Sequence, residues 1–555
     1  MFRLYSPSCL ITGIGFLPFS PAYAQADNEW RTILPTPNDE TAKHNDVSTD
    51  VPELLRTESQ SVKRVTKEYP LGQSIRVGSV WIEATPAIDH TMFDAVIEPF
   101  LGTNATNDEL VKLAQQISDV ARANGMVLAS AYVPTQQIEL GIVKIILKTG
   151  VIDEVRIEGS SNQALRDLLH PLTGITILKG ELERRLMLAS DIPQISVRQT
   201  ELLVEGERQV LVVKVQERKK IRGKLISDNY GSKNIGPLRA RLSVETVALL
   251  DDSDFANVTF RANPAEPKEL AAASITYGIA LNDEGTRAEI SAALSKSEID
   301  LGNFTGNRIA NSKYASLAIS HPLQRSRTAN LWLEGQFEYL KIDQDILGLA
   351  LQSDTVVTLS VGFASSLKVG NGWLRTGTQL RKGLGLFGAN TPNDSYSSRV
   401  DASGQFTSAR AWANWSGKLM GNMTVRMAVT GQIASEPLLS SEEMGLGGAN
   451  IGRAFDSYER SGDQGILALT ELGYEFSQPT RWLKRLQPYV YLDGGYVSNL
   501  QNGIGGGTLF SAGGGLRGEI GAIDLQLEAA IPVYSGTNNT DTSKLKVNLQ
   551  VGLGF

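Results

Sequence analysis

Groups able to make or break bonds are scarce in this chain. Its one cysteine, Cys9, lies near the N-terminus, and its four histidines, His44, His90, His170 and His321, are widely scattered. The spacing offers no histidine- or cysteine-ligated metal site. No G-x-S-x-G nucleophile elbow and no G-x-x-x-x-G-K-[ST] phosphate loop occurs. We therefore expect no enzyme, no metal and no cofactor. The remaining chemistry is electrostatic. A strand that sets Val490 and Leu492 on one face sets Asp493 on the other. Glu471, Glu475 and Glu528 follow the same parity and read as lining of a wet interior. Arg453 stands in a glycine-rich run, Gly445 to Asp456. Net charge is −7, which gives no basic signature of a nucleic-acid binder.

The elements that must position these charges are strands. From Leu545 every second residue to Phe555 is apolar, and Lys546, Asn548, Gln550, Gly552 and Gly554 lie between. Such alternation makes one greasy and one wet face. It recurs from Arg222 onward in about sixteen segments separated by Gly, Asn, Asp and Ser. Residues 1–24 read as an export signal: Arg3, an apolar stretch from Cys9 to Phe19, then Ala22-Tyr23-Ala24 before Gln25. With the signal removed the chain has no thiol, which excludes disulfides and a thiolate nucleophile. No later apolar run approaches the roughly 18 residues of a membrane helix. The expectation is mainly β: a transmembrane antiparallel barrel over 219–555, its apolar face toward outer-membrane lipid. Its longest irregular gap, 434–463, is long enough to require a job.

Ahead of the barrel the texture is α+β. Residues 74–149 read as strand, helix, helix, strand, strand, and 150–218 repeat that order, an internal duplication. Strands over 138–147 and 209–217 are candidates near a free sheet edge. Residues 25–73 are polar and mixed, and only Pro52 to Arg64 has helical character.

The gap sequence Gly447-Gly448-Ala449-Asn450-Ile451-Gly452-Arg453-Ala454-Phe455 resembles the GG-x-x-x-V-R-G-F/Y loop of outer-membrane transporters of two-partner secretion (TpsB type, the haemolysin secretion/activation family), which share a superfamily with the BamA insertase. Gly452 replaces the usual Val, and Ala454 the usual Gly, where it is expected to constrain a turn. Tyr491-Leu492-Asp493-Gly494-Gly495 followed by Ser511 to Arg517 resembles the family's late-strand aspartate and G-L-R segment. Pro134-Thr135-Gln136-Gln137 resembles the P-x-Q of its first POTRA domain. Asp228-Asn229-Tyr230-Gly231-Ser232 resembles the segment that opens its barrel.

The resemblance implies two periplasmic POTRA modules, 74–149 and 150–218, before the barrel, and a loop folded back into the lumen. It implies an Arg453–Asp493 ion pair, for which a guanidinium fork on a carboxylate is chemically apt. It also implies partner contacts at Pro134, Gln136 and Gln137, and Phe555 as the terminal aromatic read by barrel assembly machinery. Residues 25–73 are then a plug helix or a plain periplasmic linker. The implied function is export of an unfolded TpsA-type exoprotein, haemolysin- or adhesin-like, across the outer membrane. A BamA-like insertase is the alternative. A passive porin or a barrel enzyme leaves the α+β pair or the loop motif unexplained.

Overall fold

The structure is a computed structural model that describes residues 74–85, 89–126, 128–134, 136, 138, 140–205, 208–232, 236–300, 307–477, 479–536 and 545–555. The expected signal, the 25–73 linker or plug, and Gln137 lie outside the described residues. Contacts divide the chain into two compact units. One ends at Arg218 and takes in Arg325–Arg327; the other is the remainder of Lys219–Phe555.

The first unit holds two modules of one topology. In the first, Ile142–Lys148 runs parallel to Ser79–Thr85 and antiparallel to Ser130–Tyr132. In the second, Arg208–Glu217 runs parallel to Glu154–Glu158 and antiparallel to Ile195–Glu205. The last strand of each module is thus the central one. This corrects the expectation that 138–147 and 209–217 lie at free edges. The helices return the chain antiparallel to the first strand and one strand position away, and the slot left between them is filled by the final strand. Among the described residues, the outer strands are Ser79–Thr85 and Ser130–Tyr132 in one sheet, and Glu154–Glu158 and Ile195–Glu205 in the other.

Helices cover one face of each sheet. Asn107–Ala123 starts with a reciprocal capping box, in which the Thr106 N–H donates to Glu109 Oε2 at 2.7 Å and the Glu109 N–H to Thr106 Oγ1 at 3.4 Å. Its spacing buries Leu110, Leu113, Ile117 and Ala121. Lys179–Asp191 buries Leu182, Leu186 and Ala189 in the same way.

The second unit is a closed antiparallel barrel of sixteen strands. They are β1 Ile221–Asp228, β2 Arg239–Val247, β3 Phe255–Ala262, β4 Leu270–Ala280, β5 Arg287–Asp300, β6 Asn307–Arg325, β7 Ala329–Ile346, β8 Leu349–Val369, β9 Gly372–Gly383, β10 Thr407–Met420, β11 Met423–Ala434, β12 Gln464–Tyr474, β13 Leu483–Ser498, β14 Gly507–Ile520, β15 Ile523–Tyr534 and β16 Lys546–Gly554. Phe476–Ser477 continues β12 along the same neighbour. The predicted alternation holds. Val547, Leu549, Val551 and Leu553 are exposed on the outer wall, while Asn548 points inward and is buried.

The barrel closes where β16 meets β1, in a register running from Gln550↔Asp228 to Gly554↔Lys224. Phe555 and Gly223 extend it by exchanging two backbone bonds of 3.0 Å. At its other end a side chain substitutes for backbone. Asn229 Nδ2 donates to the Val547 carbonyl at 2.9 Å, and Asn229 Oδ1 accepts from the Leu549 N–H at 2.7 Å. A side-chain amide offers both the donor and the acceptor that a strand's backbone would.

Candidate functional site

The segment between β11 and β12 folds into the lumen instead of out to solvent. A short hairpin, Met444–Leu446 with Arg460–Gly462, forms its stem. Three glycines shape its tip: Gly447, Gly448 and Gly452 have φ of 116°, 99° and 81°. A Cβ at Gly447 would lie 2.3 Å from the Asp456 carbonyl oxygen, so only glycine fits this crossing. Ala454 has no positive φ. The turn expected to need glycine there is made instead at Gly452, and Ala454 costs the loop nothing. Phe455 is buried with Leu446, Ile451 and Ala454 against Leu467, Tyr489 and Tyr491 of the wall. An apolar plug of this kind gives a loop in a wet pore a reason to stay.

Arg453 points from the tip into the wall and is 4 % exposed. The expected Asp493 partner is present: Nε lies 3.1 Å from Asp493 Oδ2. It is not alone. Nη1 donates to Glu528 Oε2 at 2.7 Å, and Nη2 lies 3.5 Å from Glu471 Oε2. The Asp493 contact is an ion pair, whereas the well-formed hydrogen bond goes to Glu528. Asp493 also accepts from the Gly452 N–H at 2.8 Å and from the Ser511 hydroxyl. One carboxylate therefore holds both the guanidinium and the backbone beside it. Burial works against the Arg453 charge, but Glu528, Asp493 and Glu471 outweigh it and raise its pKa.

Glu471 and Glu528, read from sequence as simple lining, belong to this cluster. Glu475 does not; it lies beyond the end of β12, where its Oε1 accepts from the Ser477 hydroxyl. A second arginine, Arg517 on β14, binds Glu471 through both terminal nitrogens, one at 2.9 Å. Each guanidinium lies over a tyrosine ring: the Arg453 carbon is 3.9 Å from the Tyr491 ring centre, and that of Arg517 is 3.8 Å from the Tyr489 ring centre. The Tyr489 hydroxyl donates to Glu528 at 2.8 Å. From β16, Lys546 Nζ donates to the Phe455 carbonyl at 3.0 Å.

The glycine run on β14 now has a reason. Gly513 faces Tyr491 and Gly515 faces Tyr489 in register. A Cβ at either would come within 2.5 Å or 2.7 Å of the tyrosine oxygen. The rings can lie across the strand, and carry the arginines, only because no side chain stands beneath them.

Of the other expected residues, Gln136 is committed within its own module. Its Nε2 donates to the Lys144 carbonyl at 2.7 Å, and its Oε1 accepts from the Lys144 N–H at 2.8 Å. The ladder of Ser130–Tyr132 ends at Tyr132↔Ile146. The next rung falls to Pro134, which lacks an N–H, and the amide of Gln136 supplies the rung. Phe555 is exposed at the seam, with its ring over Gly223.

Solved structures share the whole architecture. CdiB from Escherichia coli superposes with a TM-score of 0.78 at 19% identity, covering 97% of this chain and 99% of that one. CdiB from Acinetobacter baumannii gives 0.69 at 15% identity, covering 96% and 98%. In sequence, the heme/hemopexin transporter protein HuxB of Haemophilus influenzae is 25% identical over 471 residues, 80% of this chain and 81% of its own. The hemolysin transporter protein HpmB of Proteus mirabilis is 25% identical over 443 residues, covering 74% and 73%. Residues 75–150 match the ShlB-type POTRA domain. With residues 207–518 matching the haemolysin secretion/activation protein ShlB/FhaC/HecB, the chain belongs to that family of outer-membrane transporters.

Proposed function

We propose that this transporter exports one partner exoprotein of the TpsA type, and that the Arg453 cluster is the latch that keeps its pore shut at rest. One observation carries the reading: the 434–463 segment lies inside the barrel, its tip pinned by Arg453 to Glu528, Asp493 and Glu471. A solvated surface loop would not bury three carboxylates around one guanidinium. The relatives HuxB and HpmB, a heme/hemopexin transporter and a hemolysin transporter, favour a secreted protein as cargo.

Residues 74–149 and 150–218 are read as two periplasmic POTRA modules that receive the unfolded exoprotein. Strand addition to an outer strand would give affinity through backbone bonds. Ser79–Thr85 suits this role better than the Pro134–Gln137 segment, because the Gln136 amide is already engaged with Lys144. Phe555 is read as the terminal signal for barrel assembly. The reaction is passage, with no bond made or broken in the cargo.

The test compares the secretome and outer membrane of a deletion strain with its parent by mass spectrometry. Loss of one large secreted or surface protein, with other barrels unchanged, is the expected result. Broad loss of barrel proteins would instead mean an insertase and overturn the reading.

A further inference from the structure

The 434–463 segment is held at a second place that shares no partner with Arg453. Its base carries adjacent acids, Glu442 and Glu443, both fully buried. They face different neighbours. Glu442 accepts from Arg381 of β9, at 3.0 Å and 3.2 Å, and from Arg410 of β10 at 3.4 Å, which ties it to the barrel wall. Glu443 faces Arg399 instead, with Nη1 at 3.1 Å.

Arg399 belongs to the long connection between β9 and β10, and all of its donors are spent on three separate connections at one end of the barrel. Within its own loop, Nε donates to Asp401 at 2.8 Å. Toward the 434–463 segment, Nη1 reaches both oxygens of the buried Asp463 at 2.9 Å as well as Glu443. Toward the connection between β13 and β14, Nη2 donates to the Leu500 carbonyl at 2.6 Å. Asp463 closes the knot from its side. Its oxygens accept from the Leu438 and Leu500 N–H groups, each at 2.7 Å. The three connections follow odd-numbered strands. They therefore lie at the end of the barrel opposite the start of β1, which is the extracellular end.

We propose that Arg399 is a second latch of this transporter, a positioning residue that gathers the fifth, sixth and seventh extracellular loops over the outer mouth and must release them before cargo can leave. The proposal rests on the pore reading above and extends it. Release of the tip at Arg453 leaves the base of the loop tied to its neighbours, so passage needs two separable events. A buried ion pair makes a switch of this sort because it is strong when complete and costly when half-broken. Breaking it by one substitution leaves the buried Asp463 uncompensated and strips Glu443 of its donor, which drives the loops apart.

The test is ion conductance of the purified full-length barrel in planar bilayers, a readout that needs no cargo. Arg399→Ala is expected to raise the occupancy of the conducting state about tenfold or more. Arg399→Lys, which keeps charge but loses the fork, should fall between it and the parent. A folded, heat-modifiable Arg399→Ala barrel with parental conductance would falsify the proposal. A second variant covers failure to fold. The Ser440 N–H donates to Ser398 Oγ at 3.0 Å, so Ser398→Cys with Ser440→Cys bridges the fifth and sixth loops. Oxidised, this barrel should conduct less than the same barrel after reductant; equal conductance overturns the proposal. If the parent, Arg399→Ala and Arg453→Ala barrels all fail to conduct, the pore reading itself falls, and the second latch with it.

Discussion

Replacing Arg453 by alanine should do more damage than replacing Arg453 and Glu528 together. The charges around the tip are two guanidiniums, Arg453 and Arg517, and three carboxylates, Glu471, Asp493 and Glu528. Beside them lie Arg426, opposite Glu471 on the neighbouring strand, and the Lys546–Asp456 pair. Arg453→Ala takes away the one guanidinium that contacts all three carboxylates in a buried site. Glu471 keeps Arg517, but Glu528 keeps Tyr489 and Asn548, and Asp493 keeps Ser511 and the backbone N–H groups of residues 452 and 453. Stripping one partner from a buried pair costs about 3–5 kcal/mol. That lowers the ratio of docked to undocked loop by roughly two to four orders of magnitude. Glu528→Gln removes one unpaired anion while keeping a group that the Tyr489 hydroxyl can still reach. Added to Arg453→Ala, it should restore docking about tenfold over Arg453→Ala alone, roughly 1.4 kcal/mol, and the coupling exceeds this by the cost of Glu528→Gln in the parent. The same cycle with Asp493→Asn should show a smaller coupling, because Asn preserves acceptance from Gly452 and Ser511. Docking is read as bilayer open-state occupancy and, in cells, as cleavage of the 434–463 segment by external protease. A double variant as damaged as the sum of the singles would refute the three-carboxylate account and return the site to a simple pair.

Three further expectations concern other parts of the chain. Gly515→Ala puts a Cβ against Tyr489 and should cost about 1–3 kcal/mol, seen as a lower transition in heat-modifiability, whereas Gly554→Ala, with nothing within 4 Å of its Cβ, should be neutral. Gln136→Ala removes both bonds to Lys144 and should weaken that rung by roughly 1–3 kcal/mol. Faster hydrogen exchange at the Lys144 amide in the full-length protein would register it. Burial, with Asp463 beside it and against the pull of Arg399, pushes the Glu443 carboxyl up to about 8. A carboxyl raised in the closed state stabilises closure at low pH, and that contribution is lost as pH rises through 8. Conductance should therefore rise from the ordinary carboxylate range up to about pH 8 and level off above it, and Glu443→Gln should flatten the rise.

Much of this was legible before any coordinates. Parity alone turned Asp493 inward and Val490 and Leu492 outward, because strand side chains have a period of two and leave no third choice. The duplicated α+β order was visible in the change from helical to alternating spacing. Glu471 and Glu528 were visible as inward acids, but nothing in their local sequence distinguished them from lining. Their membership of the site depends on which strands flank β13 and β14, a relation between residues far apart in the chain. The central position of Ile142–Lys148 and Arg208–Glu217 escaped for the same reason, since strand order is settled by the crossover and not by composition.

Residue order alone is enough to show that the chain crosses a membrane with strands, that two similar modules precede them, and that a glycine-rich loop carries an arginine. Those properties are written in local periodicity and in residue types a few positions apart. Only the tertiary structure decided what the arginine holds. It also decided that Tyr489 and Tyr491 seat two guanidiniums above glycines of the next strand, and that Arg399 knots three loops together. Each depends on register across a closed sheet, where one residue of slip would turn every inward charge toward lipid.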